Sequence, residues 1–252
     1  MKKIINVYKK IGETPLEALN KFKSKNPDYK NIKMGYAGRL DPMAEGVLIA
    51  LVGEENKKIK KYMNLDKEYN AEILIGFSSD TNDVLGIAEK GKNLDKEELI
   101  KLIKKTIKEF KGKYNQKIPK YSSYKIKGKP MFHYALKNID IKEIRKEVII
   151  KKLKINSIES ISSKKLLNYI LNKIKKVKGN FRQEKIAKKW EKLLKNKQEK
   201  FLVLNLIISC SSGTYIRAIA DELGDKINNK ALLLSLKRTK VGKFNINNSL
   251  KT

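Results

Sequence analysis

The stretch from Gly35 to Leu48, GYAGRLDPMAEGVL, constrains this chain more than any other, because it forbids helix and then leads into a buried strand. Pro42 drives the residue before it, Asp41, toward extended backbone. Gly35, Gly38 and Gly46 permit turns, or a close approach of backbone that a side chain would obstruct. The loop enters the apolar run Val47–Val52 (VLIALV), which reads as a buried strand ending at Gly53. One carboxylate is thus presented on a loop anchored to rigid scaffold. By local pattern alone, Gly-rich turns with an aspartate are more often structural than catalytic. A phosphate cradle fits worse, since the stretch has neither a Gly-Lys-Ser/Thr ending nor a G-x-G-x-x-G opening, and Asp41 would repel phosphate.

A chain of 252 residues with 40% hydrophobic content is long enough for one large domain or two small ones around a sizeable core. Lys and Arg number 58 against 27 acidic residues, a formal charge of +31, so the surrounding field attracts polyanions and nucleic acid is the natural first partner. Much of that excess is Lys accompanied by many Ile and Asn, a bias that codon usage also produces. Cys210 is the only cysteine and His133 the only histidine. Disulfide frameworks, Cys/His zinc sites, Cys-His nucleophiles and Ser-His-Asp triads are therefore excluded, and chemistry has to run on carboxylates, Tyr, Lys or Arg. The amino terminus has only a very short apolar stretch, and no window approaches a membrane-spanning length. A soluble, reducing, cytoplasmic setting is expected.

Along the chain, Ile4–Val7 reads as a strand, and Thr14 with Pro15 starts a helix carrying Leu16, Leu19 and Phe22 on one face. Ile59–Met63 continues as a short helix and Lys67–Phe77 as a strand with Tyr69 near its beginning. Asp80, Thr81, Asp83 and Gly86 form a polar turn. Leu94–Phe110 places Leu99, Leu102, Ile103, Ile107 and Phe110 at helical spacing, and Gly112 ends it. Lys117–Pro130 interleaves Tyr121 and Tyr124 with lysines, a mixture that suits either base stacking with phosphate neutralisation or an ordinary basic hairpin. His133 follows in a helix, as a partly buried structural imidazole. Glu147–Ser160 and Phe201–Cys210 read as strands. Between them, from about residue 162 to 200, two helical stripes (Leu166, Leu167, Ile170, Leu171, Ile174; then Ile186, Trp190, Leu193, Leu194) flank Gly179 and Asn180. An inserted Lys-rich helical hairpin is expected, as a solvated surface decoration slightly ahead of a dedicated RNA arm. Arg217–Leu223 and Lys230–Leu236 read as closing helices, with Lys237, Arg238 and Lys240 a final basic cluster.

These pieces, in this order, resemble the TruB family of tRNA pseudouridine synthases. The family's opening K-P-x-G-x-T-S is echoed by Lys9, Lys10, Gly12, Thr14 and Pro15, and G-H-x-G-x-L-D-P-x-A-x-G-V-L by Gly35 to Leu48. Lys67 and Tyr69 give Lys-x-Tyr; Gly76, Ser79, Asp80, Thr81, Asp83 and Gly86 follow G-x-x-T-D-T-x-D-x-x-G. Ile118, Pro119, Ser122 and Lys125 match I-P-x-x-Y-S-A-x-K. C-S-x-G-T-Y-I-R is complete from Cys210 to Arg217, and Leu236, Lys237, Arg238, Gly242 and Phe244 approach L-R-R-x-x-x-G-x-F.

The resemblance implies an α+β pseudouridine synthase fold: a large, mixed, mainly antiparallel twisted sheet with flanking helices and the inserted hairpin. It implies one catalytic domain over 1–252, without the separate C-terminal RNA-binding (PUA) domain of many relatives. It assigns Asp41 as the nucleophile that opens the uridine N-glycosidic bond, Tyr69 as the ring stacking on the extruded base, and Arg217 as the partner orienting Asp41. Tyr36, Tyr215 and Leu236 join Tyr69 in substrate binding, Tyr36 standing where the family usually has His. Arg39, Lys125, Lys237 and Arg238 are expected RNA contacts. The implied partner is tRNA, modified at the T-loop uridine conventionally numbered 55, with no metal, no cofactor, no guide RNA and no obligatory protein partner. A noncatalytic RNA-binding or tRNA-folding module on the same scaffold is the alternative; a guide-RNA-dependent ribosomal relative is disfavoured.

Overall fold

The computed structural model describes residues 1–251. The chain opens with β1 (Ile4–Lys9) and α1 (Pro15–Lys25), followed by β2 (Met34–Ala37), β3 (Ala44–Val52), α2 (Ile59–Met63) and β4 (Lys67–Ile75). Next come the short β5 (Phe77–Ser79) and β6 (Ala88–Lys90), then α3 (Lys96–Thr106), β7 (Gly112–Lys117), β8 (Lys125–Ile126), β9 (Lys129–Pro130) and α4 (Met131–Leu136). The second half holds β10 (Arg145–Ser162), α5 (Ser163–Ile174), α6 (Gln183–Leu194), β11 (Lys200–Cys210), α7 (Ile216–Lys226) and β12 (Ala231–Val241). β13 (Phe244–Asn245) and β14 (Leu250–Lys251) close the chain.

One large sheet runs in the order β14-β1-β3-β12-β4-β11-β10-β7, with β2 paired to β3 and β13 to β12. It is mixed and mainly antiparallel; β12 with β3 and β1 with β14 are its parallel pairs among the described residues. The two faces follow from the alternation of side chains along each strand. Ala71, Ile73 and Ile75 of β4 and Leu204, Leu206 and Ile208 of β11 meet α3 and α7 through Leu99, Ile103, Ile219 and Leu223. Leu74 and Val203 point the other way, into a second cluster with Leu166, Ile170, Ile186 and Trp190. Helix α1 covers β1 and β3 with Leu19 and Phe22. Its start is fixed by a capping box, Thr14 Oγ1 accepting from the Glu17 amide and Glu17 Oε2 from the Thr14 amide, worth about 1 kcal/mol. No helix among the described residues is long and apolar enough to cross a membrane.

Four sequence expectations are corrected. The expected Lys230–Leu236 helix is instead the first part of strand β12, which starts at Ala231: its leucines are buried on both faces, Leu232 and Leu234 behind the sheet and Leu233 and Leu236 in front. A continuous apolar run carries no period that separates buried strand from buried helix. Leu16 is exposed, and Ala18 completes the buried face of α1 with Pro15, Leu19 and Phe22. The Lys67–Phe77 strand breaks at Gly76, whose φ of 92° separates β4 from β5. Lastly, the hairpin of α5 and α6 is no surface decoration. Trp190 is fully buried, its ring 5.3 Å from Phe77, and its Nε1 donates to the Val84 carbonyl at 3.2 Å.

Candidate active site

Asp41 lies in the loop between β2 and β3, where a turn closes with the Ala44 amide donating to the Asp41 carbonyl at 3.0 Å. What holds that loop against the sheet is the close parallel passage of β12 along the start of β3, Leu236 beside Ala44 and Arg238 beside Gly46. Gly46 has φ 111°, and a Cβ there would sit 2.2 Å from the Arg238 carbonyl, so backbone contact this tight requires glycine. The acid is therefore placed by strand packing more than by its own side-chain contacts.

Arg217, in the first turn of α7, reaches Asp41 on the same face of the sheet: its Nε donates to Asp41 Oδ2 at 3.0 Å. Its Nη1 donates to the Thr81 carbonyl at 2.9 Å and its Nη2 to the Tyr121 carbonyl at 2.8 Å. The guanidinium is 4% exposed, whereas Asp41 is 40% exposed, so the cation is an internal post and the carboxylate faces the opening. Among the described residues Asp41 Oδ1 takes no hydrogen bond, which leaves one oxygen available to an incoming group. Burial disfavours the Arg217 charge, yet Asp41 and Asp83 together raise its pKa above the ordinary value.

Asp41 and Arg217 share a cleft of ≈ 220 Å³ with Gly38, Arg39, Leu40, Met63, Lys67, Tyr69, Ser123, Thr214, Tyr215, Leu233, Leu236 and Arg238. That volume is below the roughly 300 Å³ at which pockets accept drug-sized ligands, a scale suited to one planar base. Tyr69 on β4 is 7% exposed, and burial pushes its hydroxyl up to about 12 against the opposing Arg238 cation, so it stays a neutral phenol at pH 7. Tyr215 is clamped by Gln116, whose Nε2 donates to the Tyr215 carbonyl and whose Oε1 accepts from its amide. A larger, open hollow of ≈ 280 Å³ near Ile75, Lys90 and Phe201 lies at the opposite end of β4. Six residues of strand, about 20 Å, separate it from Tyr69, and its acid, Glu199, is already paired with Lys90.

The structure thus brings Asp41, Tyr69, Arg217, Tyr215, Leu236, Arg39 and Arg238 around one cavity and leaves others outside its lining. Tyr36 packs beside the cluster of Phe22 and Leu19, and its hydroxyl accepts from Arg39 Nη2 at 3.3 Å. Lys125 is exposed on β8, and Lys237 is half-exposed with its ammonium 3.2 Å from Glu45. Arg238, although in the cleft lining, is 2% exposed, with Nε donating to the Val47 carbonyl and Nη2 to the Gly38 carbonyl. Its guanidinium ties the Asp41 loop to β12.

Sequence reasoning gave no role to three further groups. Asp83 is buried, accepts from Thr81 Oγ1 and the Leu85 amide, and is pushed up to about 6 by burial despite the neighbouring Arg217 cation. Lys9 is fully buried, donates to the carbonyls of Ala44 and Lys10, and is pulled down to about 8 by burial. Lys67 donates to the carbonyls of Met63 and Leu65 beside Tyr69. The signal was present for Asp83, a second acid in a four-residue polar turn, but a buried lysine looks like any other in so basic a sequence.

Residues 25–179 match the family described as TruB family pseudouridylate synthase, N-terminal domain. Over 96% of this chain and 71% of the relative, the chain is 34% identical to the tRNA pseudouridine synthase B of Borreliella afzelii. It is 29% identical to that of Clostridium tetani over 99% of this chain and 71% of the relative. Among solved structures, a Cbf5-Nop10-Gar1 complex superimposes with a TM-score of 0.59 at 17% identity, covering 98% of this chain and 51% of that one. That likeness shows the fold, and the chain spans about half the length of that structure's chain.

Proposed function

Because the chain belongs to the TruB family of pseudouridylate synthases, we propose that it isomerises uridine to pseudouridine in tRNA, at the T-loop position conventionally numbered 55. The observation that carries this reading is the 3.0 Å pair of a half-exposed Asp41 with a buried Arg217, in a base-sized cleft beside Tyr69. The relatives' name, tRNA pseudouridine synthase B, supplies the substrate class.

The site's chemistry follows from its geometry. A uridine stacked within a folded loop hides its glycosidic carbon, so the nucleoside has to be extruded, at a cost of a few kcal/mol. Stacking on the Tyr69 ring and attraction to the basic surface offset that cost. Arg217 aims Asp41 by a charge-assisted hydrogen bond, and the unbonded Oδ1 supplies the nucleophile that opens the N-glycosidic bond. Asp41 bonds to the ribose as the N-glycosidic bond breaks and the uracil leaves with the electron pair. The uracil turns in the cleft, its carbon bonds to the ribose as the Asp41–ribose bond breaks, and the proton lost from that carbon is balanced by one taken up at the freed nitrogen. Tyr69, held as a neutral phenol, is positioned to assist that proton's transfer. Substrate and product are isomers, so the reaction requires no redox partner. The enzyme works in the cytoplasm, without guide RNA or an obligatory protein partner.

Purified protein with an unmodified tRNA transcript and no guide is expected to form pseudouridine at one T-loop site. Asp41→Asn removes the nucleophile but little binding surface, so product disappears while tRNA affinity stays within a few-fold. Product formation by that variant would refute the assignment.

A further inference from the structure

β10 and β11 are antiparallel neighbours whose ends pair Ser162 with Lys200, a connection that about two to five residues normally make. This chain uses residues 163–199 instead. Part of the reason is core packing, since Leu166, Ile170, Ile186 and Trp190 fill the rear face of the sheet. Packing does not explain Arg182, which stands at the tip just before α6. It is a non-glycine residue in the left-handed region, φ 62°, a conformation that persists where surroundings enforce it and that concentrates at functional sites.

Two contacts enforce it. Arg182 Nη1 lies 2.8 Å from Asp80 Oδ2, and its guanidinium carbon lies 5.3 Å from the centre of the Tyr121 ring. The tip beneath is tied internally by Gln183, whose Nε2 donates to the carbonyls of Val177 and Gly179 and whose Oε1 accepts from the Phe181 amide. Both residues gripped by Arg182 belong to segments that grip Arg217. Thr81, next to Asp80, accepts from Arg217 Nη1, and the Tyr121 carbonyl accepts from Arg217 Nη2. Asp80 also accepts from the Ile87 amide through Oδ1 at 2.7 Å, which extends the grip over the whole turn. Trp190 reinforces the same turn from behind through the Val84 carbonyl.

We infer that Arg182 of the inserted hairpin is a positioning residue: by clasping Asp80 to Tyr121 it fixes the two carbonyl oxygens that orient the Arg217 fork, and through that fork Asp41. The inference rests on the proposed reaction for its kinetic consequence. A guanidinium stacked on one segment and ion-paired to another defines both distance and orientation, which an ammonium does less well.

The test compares wild type, Arg182→Ala and Arg182→Lys, using the full chain and an unmodified tRNA transcript, with hydrogen exchange measured on the same proteins without RNA. Arg182→Ala is expected to lower kcat about tenfold with KM for tRNA within about twofold, since a small misplacement of reacting groups costs rate more than binding. Arg182→Lys restores the ion pair and recovers part of kcat. In the alanine variant the Ile87 and Leu85 amides exchange faster while those of β4 and β11 keep their protection. A rise in KM with kcat unchanged would make Arg182 a direct RNA contact and overturn the inference, as would a kcat unaffected by either substitution. If wild type forms no pseudouridine the proposed reaction itself fails, and the exchange arm still decides: unchanged protection at Ile87 and Leu85 overturns the clasp.

Discussion

Arg217 donates in three directions at once, to Asp41, to the Thr81 carbonyl and to the Tyr121 carbonyl. Lysine cannot span that planar fork, so Arg217→Lys should lower kcat by about a hundredfold while leaving tRNA affinity within a few-fold; retention of half the wild-type kcat would contradict the fork's role. Asp83, facing the same guanidinium, titrates at about 6 because burial holds its proton in the folded state. A carboxyl whose folded pKa is raised contributes stability that is full below its unfolded value near 4 and is lost as pH rises through about 6. Asp83→Asn removes that loss. Between pH 4 and 7 the wild type should therefore lose stability relative to the variant, by at most about 3 kcal/mol, in urea titrations at each pH. A difference that does not change with pH would show that Asp83 is already ionised throughout.

At the scale of elements, α5 and α6 show how far periodicity reaches. Much of their buried stripes was legible as spacing in the sequence: Leu166, Ile170, Ile174, Ile186, Trp190 and Leu194 are buried, whereas Leu167, Leu171 and Leu193 are only partly buried and Lys173 joins the buried face. Where the stripe goes was not legible, because lysines on the opposite side look the same whether a helix covers a sheet or projects into water. Trp190→Ala should cost about 3–5 kcal/mol, by leaving a void against Phe77 and an orphaned Val84 carbonyl. A loss below about 1 kcal/mol in chemical denaturation would return the hairpin to the status of decoration. β12 failed as a sequence reading for the complementary reason. Its leucines favour helix intrinsically, and the strand is dictated by the neighbours β3 and β4 that pair with it.

For the whole molecule, a formal charge of +31 makes tRNA affinity steeply salt-dependent. Charge alone does not say where the polyanion lies, but the fold separates the candidates. Lys176 and Lys178 stand at the hairpin tip, whose backbone abuts Gly12, and the Gly12 amide donates to the Pro42 carbonyl next to Asp41. Lys195 and Lys197 sit at the hairpin's other end, beside the Ser162–Lys200 pair. Replacing Lys176 and Lys178 by Gln is expected to reduce the slope of log affinity against log salt by about one to two, while the same change at Lys195 and Lys197 leaves it unaltered. Equal effects at both ends would mean a diffuse field with no defined footprint. Local rules in the sequence determined much of this protein: the turn that displays Asp41, the capped start of α1, the helical stripes, and the ordered motifs that mark the family. Those features depend on backbone sterics and on periods of two or 3.6 residues, which act over a few neighbours. Tertiary structure alone decided that β12 is a strand, that Arg238 is a buried tie, and that Arg182 reaches the segments holding Arg217. Each of those outcomes joins residues between 61 and 200 positions apart in the chain, and burial at such contacts depends on which surfaces meet, a quantity no local window contains.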